Sequence, residues 1–173
     1  QRSLTHPELG LDRAVPVATI PAAGSYRDRE AGDAYLRMGD FTNATRAYGN
    51  YVASVGGKQD GTAVRNYGLA LIATGNEPEG FKNFATGYRL EPSMIDRPIA
   101  ARDLGGAEGY TKLLDAAVRS ADVQRTADAW LTVAVLQHAN GQKDLAIDAM
   151  KKARDAGLQT DLMDRFVVEF NRE

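Results

Sequence analysis

Three glycine-led turns, each flanked by small and large residues at fixed offsets, restrict this chain more than any other feature of its sequence. They are Gly39-Asp40, Gly75-Asn76 and Gly141-Gln142. Seven residues before each glycine stands a small residue: Gly32, Gly68 and Ala134. Five residues after it stands another, Ala44, Gly80 or Ala146, and four further on a larger one, Tyr48, Phe84 or Met150. The first two glycines are 36 residues apart and the last two 66, which is about two units of 33. Self-similarity at this period marks a stacked array in which each repeat is one supersecondary unit.

The offsets have a physical reading. A helix closed by a glycine in the left-handed conformation, followed at once by another helix, is a helical hairpin. Small residues at the paired offsets let the two helices approach closely. The expected contacts are Gly32 with Ala44, Gly68 with Gly80, and Ala134 with Ala146. The larger side chains fill the space between neighbouring hairpins. No hairpin buries its apolar face alone, so stability comes from stacking. The fold class expected is all-α, an α-solenoid of antiparallel helical hairpins.

The pattern resembles the tetratricopeptide repeat, which runs W-x2-L-G-x2-Y, then A-x3-F, then P, in about 34 residues. Residues 25–56 resemble it through Ala31-Gly32, Tyr35, Ala44 and Tyr48. Residues 61–92 do so through Tyr67-Gly68, Leu71, Gly80, Phe84 and Pro92, and residues 127–158 through Trp130, Val133-Ala134, Ala146, Met150 and Ala153. Asp28 stands in the Trp slot of the first unit and Gln137 in the Tyr slot of the last. The stretch 93–126 has the right length with almost no signature. Tyr110, Leu113, Leu114 and Ala117 give it a second helix, while Pro98 and Gly105-Gly106 predict a shortened first one. Beyond it, Leu162, Phe166, Val167 and Phe170 share one face of a capping helix over Asp161–Phe170, with Asp161 or Thr160 as its N-cap. The expected organisation is an N-terminal segment over 1–25, a repeat array of three to four units over 26–158 and a capping helix over 159–173.

The N-terminal segment differs from the rest. It carries Pro7, Pro16 and Pro21 with Gly10 and Gly24. Val15–Ala23 has no helical period, and its prolines hold their neighbours extended. It reads either as a flexible tail or as a strap lying on the array. In the groove of a neighbouring molecule, such a strap would make a homo-oligomer.

Chemistry is sparse. The 21 basic and 23 acidic residues are well mixed and give a net charge of −2. There is no basic stripe, which argues against a nucleic-acid partner. No apolar run approaches the roughly 18 residues of a membrane span, and no charged-then-apolar leader is visible. Cysteine is absent, which excludes disulfides, thiolate zinc sites and cysteine nucleophiles. The two histidines, His6 and His138, form no metal-binding spacing. No dinucleotide fingerprint, phosphate loop or nucleophile elbow occurs; Gly105-Gly106 leads to Glu108, with no lysine for a phosphate. Asp161 and Asp164 beside Arg165 read as a solvated face. The sequon Asn43-Ala44-Thr45 falls where Ala44 should be buried and reads as chance. No enzyme activity, cofactor or metal is expected.

What the resemblance implies is binding. In tetratricopeptide arrays the first helix of each hairpin lines a concave groove. On this chain that face carries Arg29, Asp33, Leu36 and Arg37, then Arg65, Asn66, Leu69 and Ile72, then Asp128, Leu131, Val135 and His138. Cations beside an Asn amide suit a peptide carboxylate or acidic side chains. The clamp of chaperone-binding members places a basic residue four before an Asn. Here Arg29 is followed by Asp33 and Arg65 by Leu69, so the full clamp is missing. The expected function is a non-catalytic protein–protein interaction scaffold that takes a partner protein or peptide. The alternatives are a regulatory or assembly domain of a larger envelope-associated or secreted bacterial protein, or an enzyme on a helical scaffold. The missing initial Met, the Pro/Ala-rich segment and the lack of cysteine lean toward the cell envelope.

Overall fold

A computed structural model of the chain describes residues 24–172. The strap expected over Val15–Ala23 lies outside them. Among the described residues eight α-helices succeed one another: α1 (Tyr26–Met38), α2 (Phe41–Val52), α3 (Gly61–Ala73), α4 (Glu77–Leu90), α5 (Gly106–Gln124), α6 (Ala127–Ala139), α7 (Lys143–Asp155) and α8 (Thr160–Phe170). Among the described residues there is no strand. Three hairpins form, α1 with α2, α3 with α4 and α6 with α7. They stack into an α-solenoid around one continuous apolar core.

Local chemistry sets the ends of these helices. Asp28 Oδ2 accepts the Ser25 amide at 3.0 Å at the start of α1, a carboxylate satisfying one of the free donors of a helix N-terminus. At the other end Gly39 has φ +74°, and the Asp40 amide turns back to the Tyr35 carbonyl at 2.9 Å. Asp40 then caps α2 by accepting the Asn43 amide at 3.1 Å. Asp60 does the same for α3 through the Ala63 amide at 2.9 Å. Gly75 and Gly141 close α3 and α6 with the same left-handed backbone.

The small-residue contacts follow the expected pattern in the second hairpin. A Cβ on Gly68 would stand 2.6 Å from the Gly80 carbonyl oxygen, and one on Gly80 would stand 2.8 Å from the Gly68 carbonyl. Gly61 and Gly87 extend this glycine seam, with 2.6 Å from a Cβ on Gly87 to the Gly61 carbonyl. In the first hairpin the nearest neighbour of Gly32 is the ring of Tyr48 rather than the expected Ala44.

The third unit departs furthest from a regular repeat. Two 3-10 turns, Pro92–Asp96 and Ala101–Asp103, stand in place of the expected shortened first helix. Pro98 lies between them and has no amide to donate to a helix. Four side chains nonetheless anchor the segment, Met94, Ile95, Ile99 and Leu104, all with 6% exposure or less. Its second helix, α5, is the longest of the eight and buries Tyr110, Leu113, Leu114 and Ala117. α4 packs directly against α6, and α5 packs on α3 and α6. The capping helix α8 starts at Thr160 with Gln159 as N-cap, one or two residues before the positions expected. The Leu158 amide closes the preceding turn on the Ala153 carbonyl at 2.9 Å, and the chain enters the helix directly after it.

Candidate binding site

The segment between α4 and α5 lies against α1 and α3, and together they line a partly open cavity of about 310 Å3. Asp33, Leu36 and Arg37 of α1 and Thr62, Arg65, Asn66 and Leu69 of α3 form its floor and one wall. Met94, Arg97, Pro98, Ile99, Asp103 and Leu104 form the roof. Six of the residues expected to line a groove therefore meet here: Asp33, Leu36, Arg37, Arg65, Asn66 and Leu69. Ile72, expected on the same face, is buried in the core at 1% exposure.

A chain of polar contacts runs beneath the floor. Arg29 Nε donates to Asp60 Oδ2 at 2.7 Å and Arg29 Nη1 to Asp33 Oδ2 at 3.0 Å. The Tyr48 hydroxyl donates to Asp33 Oδ1 at 2.5 Å, and Asn66 Nδ2 donates to the Tyr48 oxygen at 3.2 Å. Arg65 closes the chain, with Nη2 at 3.0 Å and Nε at 3.2 Å from Asn66 Oδ1. Burial first, then the bond to Asp33, pushes the Tyr48 phenol far above its ordinary range, so it stays a neutral donor. Burial would raise Asp60, but the Ala63 amide and the Arg29 guanidinium hold it below the usual carboxylate value.

These contacts sort the charges. Arg29 faces two carboxylates, so its charge is spent inside the fold. Arg97 pairs with Glu91 at 2.8 Å. Arg65 and Arg37 have no carboxylate partner among the described residues. Arg65 bonds the neutral Asn66 oxygen, and its guanidinium lies 5.8 Å from the Tyr88 ring centroid. Asp103 is the one lining acid without an ion pair among the described residues. The cavity thus offers two available cations, one available acid and apolar surface from Leu36, Leu69, Met94, Ile99 and Leu104.

The last-unit residues lie elsewhere. Leu131 is fully buried and Val135 is 6% exposed. His138 stacks on Phe170 with ring centroids 4.3 Å apart. Val135 and His138 line a crevice of about 10 Å3 beneath α8 and the roof segment, with Ile95, Ile99 and Phe166. Burial lowers the His138 proton affinity and the nearby Glu169 partly opposes it. Asp128 pairs with Arg89 at 2.6 Å. One groove running from the first unit to the last is therefore not what the chain builds; its own α8 and residues 92–99 fill the far end.

The sequence pattern does not point to the roof residues. Met94, Ile95, Ile99 and Leu104 are apolar residues with neither helical nor strand period, broken by Pro98. Their number in a stretch without regular structure is the only signal they give. Among the described residues, no group of three or more His, Asp or Glu is placed to hold a metal ion, and no helix is long and apolar enough to cross a membrane.

A family model described as tetratricopeptide repeat matches residues 29–89 and 111–158. The unmatched residues between these segments include the roof of the cavity. No curated protein matches the chain. Among solved structures the chain is similar to the crystal structure of MamA protein, at 17% identity, with 84% of this chain and 80% of that chain covered and a TM-score of 0.34.

Proposed function

The chain belongs to the tetratricopeptide repeat family, and from that premise we propose that it is a non-catalytic interaction module that anchors an acidic residue of a partner protein in the roofed cavity. Repeats of this family generally mediate protein–protein interaction. The observation that carries the finer reading is the state of Arg65. It is a half-buried guanidinium on the cavity wall, which Arg37 also lines, with no carboxylate partner among the described residues. A side-chain or chain-terminal carboxylate would supply that partner. Asn66 holds the guanidinium in place, and Leu36, Leu69 and Met94 would take the aliphatic part of the anchor. A cavity of about 310 Å3 is at the small end for ligand sites. It suits one or two side chains of a partner, with the rest of the partner outside.

A binding screen with pooled short peptides tests this reading. Retained peptides should be enriched in Asp, Glu or a free C-terminal carboxylate. Bonds to a charged group contribute about 1.5–3 kcal/mol, so Arg65→Gln should weaken the best peptide by roughly 10- to 150-fold. Arg29→Gln should affect folding stability more than affinity per folded molecule. Retained peptides without acidic enrichment, or unchanged affinity in Arg65→Gln, would overturn it.

A further inference from the structure

The C-terminal end of the stack carries a second feature, independent of the cavity. Earlier hairpins are covered by the next helices of the stack: α3 packs on α2, and α6 on α4. On the α7–α8 pair, a groove of about 410 Å3 between the two helices is left open by the described residues. Its floor includes Met150, Met163 and Val167, with Val167 39% exposed. Lys151 and Arg154 stand on the α7 wall and Asp164 on the α8 wall.

The charges on these walls identify what fits. Lys151 pairs with Asp148 at 3.1 Å and Arg154 with Asp155 at 3.0 Å, all four side chains more than half exposed. Exposed pairs of this kind contribute little, so both cations can exchange their partners. Asp164 has no ion pair among the described residues. We propose that this face associates with the same face of a second copy of the chain. A two-fold axis running along the groove lays α7 of each copy over α8 of the other. Lys151 and Arg154 of each copy then face Asp164 of the other, and the apolar floors meet between them. A two-fold axis across the helices would lay α7 on α7 and oppose like charges. Self-complementarity under one rotation is what a closed dimer requires.

The size of the face sets the strength. Helices of 13 and 11 residues span about 16–20 Å, and two of them make a face at the small end of specific interfaces. The dimer is weak and depends on concentration. Sedimentation of the full chain over roughly 10 μM to 1 mM should show a mass rising from 18.7 kDa toward twice that value. Asp164→Lys alone, and Lys151→Asp with Arg154→Asp, should each stay monomeric with unchanged helical circular dichroism, because all three positions are exposed. Mixing the two variants should restore the dimer, since both cross-contacts then join opposite charges. A wild type that stays monomeric throughout, or an Asp164→Lys chain that dimerises like wild type, would overturn the proposal. So would a dimer lost on deleting residues 1–23 but untouched by the charge reversals, which would assign the groove to the N-terminal segment.

Discussion

Gly68→Ala tests the close packing of α3 against α4. The added Cβ would stand 2.5 Å from the Phe84 amide nitrogen, 2.6 Å from the Gly80 carbonyl oxygen and 3.0 Å from Phe84 Cα. All three neighbours are backbone, so no side chain can rotate away and α3 must move off α4. Overpacking of this kind costs about 1–3 kcal/mol, occasionally more, and the lack of a flexible neighbour puts this site at the upper end. The gain in helix propensity from Gly to Ala, about 1 kcal/mol, offsets part of it. The expected net loss is about 1–2 kcal/mol, a fall in Tm of roughly 2–8 °C for a chain of this size. The assay is thermal and urea unfolding monitored by circular dichroism. Gly56→Ala is the control: its backbone is already right-handed helical and its Cβ would meet nothing within 4 Å. That variant should be neutral or stabilised by about 0.4–1 kcal/mol. If Gly68→Ala unfolds like wild type or like the control, the close approach of α3 and α4 is wrong. The cavity wall carried by Arg65 and Asn66 would then be misplaced too.

The polar chain and the backbone give three further expected outcomes. Tyr48→Phe removes the donor to Asp33 and the acceptor for Asn66, and should cost about 1.5–3 kcal/mol in urea unfolding; Tyr51→Phe, which loses one 3.2 Å contact to Asp60, should cost less. Arg125 closes α5 at φ +53°, so Arg125→Gly should raise stability by about 0.5–1 kcal/mol, the left-handed strain less the added freedom of the unfolded chain; a destabilised variant would refute that strain. Asp60 has a folded-state pKa below its unfolded value of about 3.9, so its contribution is present above that pH and is lost as pH falls through the folded value. Asp60→Asn should therefore be less stable than wild type at pH 7, and the gap should begin to close only as the pH falls below about 4; parallel urea midpoints from pH 7 into the acid range would remove Asp60 from the acid response.

The repeat period locates the hairpins because their small residues answer to local geometry: Gly68 meets Gly80 where the offsets put it. The same offsets misjudge Gly32, where the Tyr48 ring comes down onto the glycine to reach Asp33, a contact set by tertiary hydrogen bonding. The cavity is half legible. Counting along the first helices finds Asp33, Arg37, Arg65, Asn66 and Leu69, because α1 and α3 are regular. It cannot find Met94, Ile99 and Leu104, whose burial depends on where a segment without period is laid. It also treats Arg29 as available, since Asp60, which neutralises it, is 31 residues away in the chain.

The irregular third unit decides what kind of binding the fold permits. Met94, Ile95, Ile99 and Leu104 are between 1% and 6% exposed, and each such side chain contributes about 1.5–3 kcal/mol by burial. Lifting the roof would forfeit about 6–12 kcal/mol, an upper value because unfolded chains already bury some surface. That is comparable with the stability of a whole domain. A partner cannot recover so much from a cavity of about 310 Å3, so displacing the roof to lay a long peptide across α1 and α3 is unfavourable. Arg172 adds a further tie, reaching Asp96 of the roof at 3.3 Å and Glu169 of α8 at 2.9 Å. The roof is a fixed wall. On the proposed function, recognition then falls to whatever single group enters beside Arg65, and replacing Pro98 or Asp103 in the lining should change which group is accepted without loosening the stack.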